Sequence, residues 1–143
     1  MSAEWIRDLQ ESNSRNHKKL VIEKALIAYR LGSTNAEVFL YNCWLCYNPN
    51  YNYGVKTIFT TNGLTFMPNP WTRFWGLLES LRYGLDYRRS VIAIENMSKQ
   101  FDSVEWNNVC SGVLINDLRC GINIKTLNSV LGNTEWRIPD LGE

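Results

Sequence analysis

The residues best placed to do chemistry lie between Asn116 and Gly132, in the run Asn-Asp-Leu-Arg-Cys-Gly-Ile-Asn-Ile-Lys-Thr-Leu-Asn-Ser-Val-Leu-Gly. The pattern predicts a helix that ends at Leu118, a tight turn, and a new helix from Asn123. Gly121 can take a left-handed backbone conformation at no steric cost. Asn123 is a good N-cap. Ile124, Leu127 and Leu131 share one helical face, and Gly132 stands where a C′ glycine ends a helix. The first turn of such a helix presents unpaired N–H groups and the positive end of its dipole. Lys125 and Thr126 sit in that turn and Arg119 flanks it, so the stretch is a candidate seat for a phosphate.

Other reactive residues offer less. Cys43-Trp44-Leu45-Cys46 has redox or zinc spacing, but a zinc site needs a second ligand pair. Cys110 and Cys120 are ten apart, and His17 is the one histidine. A thioredoxin-like motif needs a βαβ setting, which the pattern lacks. The preferred reading is buried helix cysteines, packed as small hydrophobes. One histidine supplies little for Ser-His-Asp or Cys-His chemistry; a lysine or carboxylate mechanism stays open. No glycine-rich phosphate loop of the Walker type is present. Arg15, Lys18 and Lys19 form a second cationic group at a helix start, where positive charge opposes the dipole and invites an anionic partner. The competing reading is a solvated surface turn. The aromatic and asparagine-rich stretch from Tyr41 to Tyr53 could stack on exposed bases. Packing beneath a loop is the preferred reading, because aromatics supply much of the core.

These groups must be positioned by one domain of 143 residues, 45% hydrophobic, which is long enough to bury a core. A net charge of +1 excludes a globally basic nucleic-acid binder, so any such role must rest on a local patch. No apolar run approaches a membrane span. The N-terminus carries no signal-peptide pattern, and a cytoplasmic location with reduced cysteines is expected.

The elements read in order as follows. Met1 to Gln10 is a short helix or arm. A helix carries Leu20, Ile22, Ala25, Leu26, Tyr29 and Leu31 and stops at Gly32. Ser33 to Asn35 caps a second, Ala36 to Tyr47. A loop follows, with room for a strand at Val55 to Phe59. Further helices begin at Trp71, at Tyr87 (to Gln100) and, through the capping-box spacing Asp102-Ser103-Val104-Glu105, after Asp102 (to Leu118). The sum is an all-α single domain of about six packed helices with space for one small β-hairpin. Asp140-Leu141-Gly142-Glu143 reads as the start of a connection.

Asp117-Leu118-Arg119-Cys120-Gly121, followed by a short helix, resembles a motif at the end of the N-terminal DNA-binding domain of ATP-dependent DNA ligases, those of tailed bacteriophages in particular. Ile94-Glu95-Asn96-Met97, the helix after Asp102 and the Ile138-Pro139 exit follow the same order. The resemblance spans roughly Leu20 to the C-terminus and is concentrated between Ile94 and Ile138. It implies that residues 1–143 are such a domain, gripping nicked duplex DNA across the minor groove without sequence preference, in replication or repair. The grip would use phosphate contacts from inter-helix turns: Ser12, Ser14, Arg15, Lys18 and Lys19; Ser98, Lys99 and Ser103; and Arg119, Gly121, Asn123, Lys125 and Thr126. Only the last group rests on matched residues.

The family's adenylated Lys-x-Asp-Gly motif is missing: none of Lys18, Lys19, Lys24, Lys56, Lys99 or Lys125 is followed by it. The resemblance therefore implies a DNA-binding domain that works with catalytic domains in cis. It expects no catalytic residue, metal or cofactor in this chain, ATP and Mg2+ belonging to the full-length ligase, no membrane partner, and the host cytoplasm if the source is viral. The alternative is a helical protein-interaction domain with no nucleic-acid role, distinguishable by whether Lys and Arg gather on one face. Incubated with labelled ATP, this chain is expected to keep no nucleotide through denaturation; a labelled band on a denaturing gel would overturn that reading.

Overall fold

Short polar side chains start the helices, each closing a bond to an N–H two or three residues on. Ser14 Oγ accepts from the His17 N–H, Ser33 Oγ from Ala36, Asp86 Oδ1 from Arg89, Asp102 Oδ1 from Val104 and Glu105, and Asn123 Oδ1 from Thr126. Each such cap stabilises its helix by about 1 kcal/mol. The computed structural model describes residues 1–56, 60–61 and 68–143. The elements are α1 (Ala3–Gln10), α2 (Arg15–Arg30), α3 (Thr34–Tyr47), α4 (Pro70–Arg82), α5 (Tyr87–Ser98), α6 (Ser103–Glu105), a π-helical turn (Trp106–Cys110), α7 (Ser111–Leu114) and α8 (Ile124–Leu131). The fold is all-α, with no strand among the described residues. Of the anticipated strand, Val55 and Lys56 are irregular and residues 57–59 lie outside the described ones.

The core is laid around α2, which packs on α3 and α8, while α1 lies across α2 and the π turn. Ile22, Phe39, Leu40, Leu118, Leu127 and Leu131 are fully buried there. A second, aromatic layer joins α4 to the 103–114 segment: Trp71 meets Phe101 edge-on at 4.8 Å, and Phe74 meets Trp106 at 6.0 Å. Such edge-to-face pairs contribute about 0.5–1.5 kcal/mol each beyond the area they bury.

Two features depart from the sequence reading. The helix after Asp102 stops at Leu114, not Leu118. Asn116 is left-handed (φ 59°), its N–H bonds the Val113 carbonyl, and the Asp117 N–H bonds the Gly112 carbonyl. That pairing is a Schellman motif. The Asn116 amide secures the reversal by donating to the Cys46 and Tyr51 carbonyls, each at 3.0 Å. Gly132, expected as a left-handed C′ residue, is right-handed (φ −60°). The helix end is met instead by Thr134, whose N–H and hydroxyl both bond the Leu131 carbonyl.

Glu105 also departs from its local role. Its carboxylate does not turn back to Asp102. It is buried and accepts from Ser2 Oγ (2.6 Å) and the Ala3 N–H (2.7 Å), so it caps α1 from 102 residues away. An anion at a helix N-terminus is favourably placed.

Gly112 is the tightest point of the reversal: a Cβ there would lie 2.9 Å from both Asp117 O and Leu118 Cα. Because those are backbone atoms, Gly112→Ala is expected to cost about 1–3 kcal/mol, a fall in melting temperature of roughly 3–10 °C. An unchanged melting curve would show that the reversal relaxes freely.

Candidate functional site

The α1–α2 turn and the turn that precedes α8 are distant in sequence but meet in space. The contact is made by Lys18, on the second turn of α2. Its side chain is buried (4% exposed), and its ammonium donates to the Leu9 carbonyl at 2.6 Å and the Cys120 carbonyl at 2.8 Å. Gln10 adds a second tie on the outside, from Nε2 to the Arg119 carbonyl at 3.2 Å. His17 Nε2 closes the end of α1 on the Asp8 carbonyl at 2.7 Å. The start of α2 is thereby tied to the turn that leads into α8. Neither carries an acidic residue in its first turn.

Lys18 is thus a correction: expected as a surface phosphate contact, it is an internal cross-link. Gly121 is left-handed (φ 73°) as anticipated. A Cβ on Gly121 would also come within 3.1 Å of Lys18 Nζ, so the lysine itself needs the glycine. Arg119 is a second correction. Its backbone is left-handed (φ 57°), and its guanidinium folds back on the π turn, donating to the Asn107 carbonyl at 2.8 Å and to Ser111 Oγ at 2.5 Å. A π turn departs from the usual i→i+4 ladder, and here the Asn107 carbonyl takes the Arg119 guanidinium and the Ser111 hydroxyl. Thr126 is buried, and its N–H is taken by Asn123, so it is not an open contact either.

Arg15 and Lys125 are exposed and Lys19 is half-buried. The ion pairs of the described residues are the Met1 amino group with Glu4, Arg82 with Glu79, Arg89 with Asp86 and Arg137 with Glu143, none of them at these turns. Ser12 Oγ accepts from the Ser14 N–H, and Ser14 Oγ caps α2. The third expected group sits apart. Ser103 adjoins Glu105 and hence the start of α1, whereas Lys18 holds its end, roughly 12 Å away for eight residues. Ser98 is buried and bonds the Glu95 carbonyl of its own helix, a further correction. Lys99 follows the C-terminus of α5, where a cation suits the dipole.

The charge map is mixed. Arg15, Lys19 and Lys125 share the converging turns with Glu11 and Asp117, and further exposed cations stand at Arg7, Lys24, Arg30, Lys56 and Arg88. The aromatic stretch is spent on packing: Tyr41 meets Trp75 edge-on at 4.6 Å, Trp44 meets Tyr51 at 5.1 Å, and Arg82 covers the Tyr51 ring at 3.4 Å. Tyr47 Oη accepts from the Leu118 N–H, and Tyr53 Oη donates to the Leu45 carbonyl. No metal-binding cluster of His, Cys, Asp and Glu occurs among the described residues. None of the helices described is long and apolar enough to cross a membrane.

No family model matches the chain, and no curated protein matches it. Two solved structures share its fold. The chain named "Pmar-Lig_PreS3" superposes with a TM-score of 0.85 at 26% identity over 97% of this chain. The one named "Pmar-Lig_Pre." superposes with a TM-score of 0.78 at 24% identity over 96%. This chain spans 31% and 30% of their respective lengths. The name of the first carries the element Lig, so the likeness is to a ligase-related chain.

All four cysteines are free and buried. Burial pushes the Cys120 thiol up to about 11 and raises Cys43, Cys46 and Cys110 well above the ordinary thiol range. A raised value keeps the thiol protonated at neutral pH, and the thiolate is the reactive form. A thiol-reactive dye at pH 7.5 is therefore expected to leave the native chain unlabelled over minutes and to label four sites after denaturation. Rapid native labelling at Cys43 or Cys46 would restore a redox reading.

Proposed function

We propose that this chain is the DNA-gripping domain of an ATP-dependent DNA ligase of the bacteriophage type, holding nicked duplex through phosphate contacts while catalytic domains in cis seal the nick. The observation that carries the reading is the tie between the start of α2 and the turn before α8, both helices free of acidic residues in their first turns, with Arg15, Lys19 and Lys125 unpaired among the described residues. The ligase-like fold and the Asp117–Gly121 motif support it. Helix N-termini and unpaired cations bind phosphate oxygens without reading bases, which suits an enzyme that must act on any sequence. With few cations on the face, the domain grips weakly alone, and the full enzyme supplies further contacts. ATP and Mg2+ act in the catalytic domains, and the setting is cytoplasmic.

A second reading, a protein-interaction domain, is favoured by the spread of exposed cations over Arg7, Lys24, Arg30, Lys56 and Arg88 and by one further observation. α2 and its C-cap expose an apolar stripe of Leu20 (47%), Ile27 (55%) and Leu31 (83%), at spacings that share one helical face.

The test is duplex binding across a salt series. The parent is expected to bind without sequence preference, with log affinity falling by roughly 0.9 per log unit of salt for each phosphate neutralised. Lys125→Ala should weaken binding and reduce that slope by about one unit, leaving sequence tolerance unchanged. Absence of duplex binding together with self-association would favour the protein-interaction reading.

A further inference from the structure

We infer that Lys18 is a positioning residue for an outward-facing backbone donor, the Gly121 N–H, which is the anion-contacting group of the turn before α8; the inference rests on the DNA-binding reading above. The argument begins with what Lys18 touches. Both partners of its ammonium are main-chain carbonyls, of Leu9 and Cys120, and it makes no ion pair among the described residues. A buried cation satisfied only by neutral acceptors is costly, so it marks a place where geometry is being held.

The Cys120 carbonyl belongs to the planar peptide unit that joins Cys120 to Gly121. No cis peptide occurs among the described residues, and in a trans peptide C=O and N–H point in opposite directions across the plane. With the carbonyl drawn inward onto Lys18, the Gly121 N–H is aimed outward. Gly121 is exposed, and its N–H makes no hydrogen bond among the described residues. Its neighbours are committed inward or locally: the Arg119 N–H to Asp117 Oδ1, the Thr126 N–H to Asn123 Oδ1. Gly121 is therefore a backbone donor of this turn left open to a ligand, beside the Ile124 and Lys125 N–H groups of the first turn of α8. Its missing Cβ makes room for Lys18 behind, as the 3.1 Å approach of Nζ requires, and leaves the front uncovered. Lys18 thus acts on the phosphate through one peptide plane.

The amide resonance of Gly121 reads this directly. In a 15N-labelled parent titrated with intact duplex DNA, the Gly121 N–H is expected to show one of the largest shifts, following the same saturation curve as binding. Lys18→Met, compared at matched folded fraction well below its melting temperature, should bind duplex about tenfold more weakly with an unchanged salt slope, since no phosphate-contacting cation is removed. Lys125→Ala, by contrast, lowers the slope. A role for Lys18 in stability alone would leave the affinity of the folded variant at the parent's level. If Lys18→Met does not fold, Lys18→Gln, which keeps a donor, replaces it with the same expectation in smaller measure. Parent binding with a stationary Gly121 amide overturns the inference, as does a folded Lys18 variant that binds like the parent. A parent that does not bind duplex at all overturns the DNA-binding reading itself.

Discussion

The structure depends on a pair of buried charges that bracket α1. At the helix start, Glu105 accepts from the Ala3 N–H and from Ser2; at its end, Lys18 donates to the Leu9 carbonyl. Each charge lies at the end of the dipole that it stabilises. An eight-residue helix is marginal by itself. Here it is held at both ends by residues of other elements, and its Ala3, Ile6 and Leu9 face is buried against them. Because Lys18 also holds the Cys120 carbonyl, the same cross-link that ends α1 locates the turn leading into α8.

The path from Gly112 to Asn123 is built by a chain of specific bonds rather than by helix propensity. The left-handed Asn116 ends the helix and its amide ties the reversal to α3 and the following loop. Asn107 reaches the other way, pairing its amide with both the N–H and the carbonyl of Thr61. Arg119 fills the distorted π turn from outside. Removing helical hydrogen bonds leaves backbone groups that must find partners, and this segment supplies them from side chains. The result is a reversal that carries the chain into the turn before α8, where Lys18 of α2 holds the Cys120 carbonyl.

On the proposed reading, a surface of this kind would grip by arrangement more than by charge. Net charge is +1, and acids accompany the cations at the converging turns. Two helix starts held at a fixed spacing can meet two phosphates at once, so that the second contact is made at high effective concentration.

Much of the fold was legible from sequence. The starts of α2, α3, α5, α6 and α8 follow from Ser14, Ser33, Asp86, Asp102 and Asn123, because a cap is a bond between neighbours two or three residues apart. Apolar periodicity located most of the buried faces, with Leu20 and Leu31 exposed against it, and the paired cysteines packed in the core as small hydrophobes do. In the candidate site, Lys125, Asn123 and the left-handed Gly121 stand as the local pattern predicts. Tertiary structure alone decided that Lys18 and Ser98 are buried, that Arg119, itself exposed, folds back on the π turn, and that Glu105 caps a helix other than its own. A lysine or glutamate in a helix pattern reads as solvent-facing, since burial of a charge is normally too costly. That cost is lifted only by acceptors and donors brought from far along the chain, 102 residues in both the Lys18–Cys120 and Glu105–Ala3 bonds, and no local pattern carries their positions.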